Sequence, residues 1–455
     1  VTKKCRIYAA CGVSQTPNIC CKRKENNLMK HKKVMLTFLL VAVASMTYFT
    51  GCQKSKKSGK TVIEMVQYKP EAANYFKKVE KKFNDSHDDI ELKIDSPNDA
   101  MTILKTRFIR EDTPDIIGIG GDVNYSNFLD ADMLMDISDF DGLSDIKETY
   151  LNINKDLEYI PMKGTYAVPY MANAAGILYN KDMFKKYGWE IPKTWMEFIN
   201  LCKKIKKAGE QPIYLGYKDT WTCLAPWNAL AVSMCDSDLA YQVNSGTATY
   251  SGAYAETATK IKELLQYAQK NPVAYGYNDA CTAFARGKSA MYTIGSYAIP
   301  QIKSVNPDIN IGSFVFPATD KTDDNLLNSG NDLMFCVMKE CKNKDAAYEV
   351  LRFLLEDENV QEYMDAQSAV PCKKGDFTLA KELSDMKTYI EEGKVADFQD
   401  HHYPAEMDVA AMIQTYLLDK SDNALKAFLN KFDTEWVRYN RDIIDKVKKY
   451  KEESK

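Results

Sequence analysis

Histidine is scarce in this chain: four occur in 455 residues, and only His87, His401 and His402 lie beyond position 31. So thin a supply makes a His-centred catalytic triad hard to assemble. His401 and His402 are adjacent, so on a helix they point to different sides, a poor arrangement for a metal pair. Cys336 and Cys341 lack zinc-ligand spacing. Phosphate loops are missing as well. Gly118-Ile119-Gly120-Gly121 does not complete a GxGxxG fingerprint, and Gly287-Lys288 lacks the glycines of a P-loop. Nor is there a surplus of one charge: 60 Lys+Arg against 63 Asp+Glu leave -3, so no global basic field points to nucleic acid. The local cluster Lys203-Lys204-Ile205-Lys206-Lys207 lies beside Ile199 and Leu201 and reads as a solvated helix face. Carboxylates are plentiful, and two well-placed ones suffice for a glycosidase, but nothing singles out a pair. No catalytic residue, metal ligand or cofactor is therefore assigned.

What is present is the balance of a globular protein of two or three domains, 45% hydrophobic and 27% charged. Met29-Lys30-His31-Lys32-Lys33 is a basic start, Val34 to Met46 an uncharged apolar run, and Thr47 to Gly51 leads to Cys52. That order describes an export signal over 29–51. A retained membrane helix is the rival, since positions 34–50 reach the lower length limit of about 17 residues. Phe49-Thr50-Gly51-Cys52 resembles a bacterial lipobox, departing from it at Phe49, where a smaller aliphatic residue is usual. The expectation is cleavage before Cys52, a lipid on its sulfur, and a polar Lys- and Ser-rich tether over 52–60. Residues 1–28 carry four cysteines and read as translated sequence upstream of a natural start at Met29. The seven cysteines after Cys52 are odd in number and scattered, which is no disulfide framework; they read mostly as small core hydrophobes.

Periodicity sketches the rest. Thr61–Val66 reads as a strand, followed by a helix with apolar Tyr75, Phe76, Val79 and Phe83 at helical spacing. Ile90–Ile94 is a second strand, residues 103–109 a second helix, and Asp115–Ile119 a third, buried strand. Strand–helix–strand–helix–strand predicts parallel pairing in an α/β domain, with any ligand at the carboxyl ends of the strands. Thr194 with Glu197 predicts a capped helix start. Gln211–Gly216 reads as a strand, Tyr254–Gln269 as a long helix, and Ala290–Ile294 as a strand turned at Gly295. The C-terminal third is mostly amphipathic helix.

Five segments in order resemble the family-1 extracellular solute-binding proteins. They are Thr113-Pro114-Asp115-Ile116-Ile117, GTYAVPYMANAAGILYNKDMF (164–184), IPKTWMEF (191–198), FARGKSAMYTIGSY (284–297) and KNKDAAYEVLRFLLEDENVQEYM (342–364). The resemblance runs from about residue 61 to the end. It implies a two-lobed α/β fold, each lobe a mainly parallel sheet flanked by helices, with a hinge between. One lobe would take 61–170 plus 331–385, the other 171–330 plus 386–455, with crossings near Tyr170–Ala174 and Asn328–Leu333. It implies a monomer at the outer face of a bacterial membrane, serving the permease subunits of an ABC importer.

A carbohydrate needs aromatic platforms for its C–H faces and flat groups that donate and accept for its hydroxyls. The cleft loops of such a fold supply Tyr68, Glu71, Asp122, Asn173, Trp221, Tyr297, Asn331, Asp332 and Tyr403. Tyr297 stands where family members often have an aromatic. Asp122 reads equally as the cap of the helix that follows, Trp221 is as consistent with core as with cleft, and Trp227, inside an apolar run, reads as core. A non-sugar solute (peptide, polyamine or glycerol-phosphate-like) is the alternative ligand, and an extracellular carbohydrate-active enzyme the alternative function. Product analysis separates the last from a binding protein.

Overall fold

Alternation decides the first sheet. Along Asn331–Val337, Leu333, Phe335 and Val337 face one buried layer, while Met334 and Cys336 face another, so both sides of the strand are covered. The computed structural model describes residues 59–454. The expected leader, Cys52 and nearly all of the tether lie outside the described residues. In chain order the strands are β1 (Thr61–Gln67), β2 (Ile90–Asp95), β3 (Ile116–Ile119), β4 (Val168–Ala172), β5 (Ile177–Asn180), β6 (Met291–Tyr292), β7 (Ile311–Phe314), β8 (Leu327–Asn328), β9 (Asn331–Val337), β10 (Val370–Pro371) and β11 (Val395–Ala396).

The first lobe is built on a sheet in the order β10-β4-β9-β3-β1-β2. Helix Ala73–Ser86 buries Tyr75, Phe76, Val79 and Phe83 on one face of it, the stripe expected from their spacing. Leu104, Phe108, Tyr125 and Phe128, from helices Ala100–Ile109 and Val123–Asp130, cover the other. The second lobe carries the small sheet β6-β5-β7. Its core also takes in Phe428, Phe432 and Trp436 from helix Ala424–Tyr439.

Three details differ from the expectation. Parallel pairing holds for β1 with β2 and β3, as the strand–helix alternation predicts, but β9 and β4 pair antiparallel, and so do β5, β6 and β7. The reason is chain reversal: β4 leaves the first lobe and β9 returns to it, so the two run past each other in opposite directions. Residues 381–386 pack on the second lobe, with Ser313 Oγ donating to the Glu382 carbonyl at 2.6 Å and Tyr179 to Asp385 at 2.9 Å. They sit on the far side of the boundary expected at 385. Gln211–Gly216 also forms no named strand; Ile213 makes only single bridges to Ala268 and Met291.

Besides a passage after β10, the chain changes lobes between β4 and β5 and again between β8 and β9. The two segments are tied there, Ala175 N–H donating to the Asn328 carbonyl at 2.8 Å and Ser329 Oγ to the Asn173 carbonyl at 2.7 Å. All seven described cysteines are free thiols, five of them buried, as their apolar neighbours imply.

Candidate functional site

The carboxyl ends of β1 and β3 open towards this double crossing. Gly120 leaves room for the Tyr68 ring: a Cβ there would come 3.0 Å from the phenol oxygen. Tyr68 spans to β9 and donates its hydroxyl proton to the backbone carbonyl of Asp332. The Asp332 carboxylate accepts from Lys69 Nζ at 2.7 Å and from Asn173 Nδ2 at 3.5 Å. Burial works against the Lys69 charge, but Asp332 outweighs it and holds the ammonium above its usual range. Glu71, more than half exposed, lies 3.5 Å from Lys69 on the rim.

Asp122 does cap the next helix, accepting from Asn124 N–H at 2.7 Å. Its carboxylate and the Tyr68 hydroxyl both lie beside Gly120. Burial pushes its carboxyl above the ordinary range, opposed by the nearby charge of His401.

Two aromatic side chains of the second lobe complete the opening. Trp221 is 42% exposed and Tyr297 36%, and their ring centroids stand 6.3 Å apart. The Tyr297 phenol is raised above its usual range by the protein packed round it and by the charges of Asp400 and Asp332. Gly295 has an ordinary negative φ, so no left-handed turn requires it. Glycine is needed there because a Cβ would strike the Tyr297 ring.

Tyr68, Asp332 and Asn173 are thus joined by hydrogen bonds, Asp122 lies beside Gly120 with Tyr68, and Tyr297, paired with Trp221, is near enough to Asp332 to feel its charge. Two expected residues do not join them. Asn331 is fully buried and spends its amide on the Tyr150 carbonyl and on Asn154 Oδ1, at 2.9 and 2.7 Å, inside the first lobe. Tyr403 is buried in the second-lobe core, taking the Trp227 indole N–H at 3.1 Å and donating to Tyr254 at 2.8 Å. Trp227 is core, as read.

Lys69, Asp400 and His401 were missed. His401 Nδ1 lies 2.8 Å from Asp397, and Asp400 is held by Asn228 Nδ2 at 2.8 Å. Burial opposes the imidazolium, yet Asp397, Asp400 and Asp122 prevail and push His401 up to about 9. A raised histidine contributes stability in full below its unfolded value, near 6.5, and loses it as pH climbs through about 9. The wild type should lose roughly 3 kcal/mol of stability over that window. Urea titrations at several pH values should show His401→Gln without that slope.

Among the described residues, no cluster of His, Cys, Asp or Glu is arranged to hold a metal ion. None of their helices is long and apolar enough to cross a membrane. Residues 68–361, well over half of the chain, match the bacterial extracellular solute-binding protein family. The chain belongs to that family. This solute-binding protein is 29% identical over 402 residues to a multiple sugar-binding protein of Streptococcus mutans, covering 84% of this chain and 93% of that one. It is 23% identical over 400 residues to the melibiose/raffinose/stachyose-binding protein MelE of Bacillus subtilis, covering 82% and 88%. Among solved structures, RafE of Streptococcus pneumoniae in its apo form superposes with a TM-score of 0.75 at 26% identity, over 83% of this chain and 98% of that one. RafE in complex with raffinose gives 0.69 at the same identity, over 83% and 100%. These relatives are binding proteins, and so is this chain; it is not an enzyme.

Proposed function

We propose that the protein captures a sugar or oligosaccharide between its lobes and delivers it to the permease subunits of an ABC-type importer. A lipid on Cys52 holds it, as a monomer, at the outer face of the cytoplasmic membrane; mass spectrometry of the mature N-terminus tests that attachment. The observation that carries the ligand class is the pair of exposed aromatic side chains, Trp221 and Tyr297, together with the carboxylates Asp122 and Asp332, held by hydrogen bonds from Asn124 and Lys69. Rings of this kind cover sugar C–H faces, and oriented carboxylates take hydroxyl protons. The relatives named for multiple sugars and for melibiose, raffinose and stachyose support the same class. An anionic solute is disfavoured, because the site sets Glu71, Asp122, Asp332, Asp397 and Asp400 against only Lys69 and His401.

Calorimetry with melibiose, raffinose, stachyose, spermidine and glycerol 3-phosphate decides among the classes. The expected result is saturable binding of one or more saccharides, each recovered intact on product analysis. Binding of spermidine or glycerol phosphate with no saccharide bound overturns the reading, and cleavage of a bound saccharide overturns it in favour of an enzyme.

A further inference from the structure

Gln67 is a fully buried polar residue at the end of β1, and its whole amide is spent on one neighbour. Its Oε1 accepts the Lys69 N–H at 2.6 Å and its Nε2 donates to the Lys69 carbonyl at 2.8 Å. The space for this side chain exists because β3 offers Gly118 opposite it in register; a Cβ there would come 2.7 Å from that of Gln67. The backbone of Lys69 is thereby gripped from both sides before its side chain does anything.

The side chain then runs inward, only 15% exposed, and its ammonium sits 2.7 Å from each oxygen of the Asp332 carboxylate. Asn173, at the other lobe crossing, reaches the same carboxylate from a second direction. Asp332 itself is 21% exposed, so part of it reaches solvent. A carboxylate offers about four acceptor positions, and these contacts take three.

We infer that Lys69 is a positioning residue, which turns the Asp332 carboxylate towards Asn173 at the lobe crossing and leaves one acceptor position aimed at a ligand hydroxyl. Rigid placement of an acceptor lowers the ordering cost of binding. The paired carboxylate also suits a neutral hydroxyl better than an ammonium, since its charge is already answered by Lys69. This inference rests on the reading of the opening as a saccharide site.

The test uses the ligand-free protein first, in crystals of Lys69→Met and Lys69→Arg. In Lys69→Met the Asp332 carboxylate should leave Asn173 while the Gln67 grip on the backbone of residue 69 stays; in Lys69→Arg it should remain. An unmoved Asp332 in Lys69→Met overturns the inference whatever the ligand. Raffinose is then titrated into each protein, expecting at least tenfold weaker binding for the Met variant and recovery for the Arg variant. Equal weakening by both, with Asp332 in place in the Arg crystal, also overturns it. Wild-type protein that binds no saccharide refutes the functional reading alone, and the crystals still decide the positioning role.

Discussion

Tyr297→Ala should weaken saccharide binding about thirtyfold, close to 2 kcal/mol, and leave the ligand-free protein almost as stable as before. More than a third of the residue is open to solvent, and its aromatic neighbour Trp221 is more open still. Removing a ring so placed sacrifices little packing, at most about 1 kcal/mol for the lost aromatic pair. What it removes is a flat apolar face whose position Gly295 and the turn Ser296–Ala298 define. Calorimetry gives the affinity, and thermal unfolding without ligand gives the stability. A large fall in melting temperature with affinity preserved would make Tyr297 a packing residue and leave the aromatic platform to Trp221 alone.

The opposite pattern is expected at Tyr403. Tyr403→Ala should cost about 3–5 kcal/mol of stability, measured as a shift of the urea midpoint. Its ring is packed among Tyr250, Phe432 and Trp436, with centroids 5.5 to 6.5 Å away. Its hydroxyl is the middle of a buried chain, from the Trp227 indole through Tyr403 and Tyr254 to Gln399 Oε1. Tyr403→Phe keeps the ring and strands the indole N–H, so it should cost about 1–3 kcal/mol. Saccharide affinity should be unchanged in Tyr403→Phe. A tenfold loss there, with stability intact, would return Tyr403 to the ligand site.

Those two tyrosines illustrate what was legible from residues alone. Tyr297 follows a short apolar strand and a glycine, a local pattern that carries its own geometry. Only the resemblance places Tyr403 in a cleft loop, with no local pattern to fix which way its ring turns. Gln399–His402 is a tight helical turn with Asp400 and His401 on the site, and the chain leaves it with Tyr403 turned into the core. One-residue steps in such a turn change sides, and no composition argument sees that. The capping pair was read almost in full: Thr194 accepts from Glu197 N–H at 3.2 Å, although the Glu197 carboxylate takes the Lys193 N–H, one residue earlier than a closed box requires. The antiparallel β4–β9 pairing was illegible because it joins strands about 160 residues apart, across a whole intervening lobe. Lys69 was overlooked for the same reason. Its partner Asp332 is 263 positions away, and a lone lysine after a strand otherwise looks like solvent-facing charge.

β1 has a direction that bears on how the protein sits in space. Its last residue, Gln67, leads into Tyr68 at the opening, and its first, Thr61, hydrogen-bonds Asp89 at the opposite end of the sheet. Seven residues of strand separate the two ends by about 20 Å. The described chain therefore enters the first lobe at the end of β1 remote from the opening.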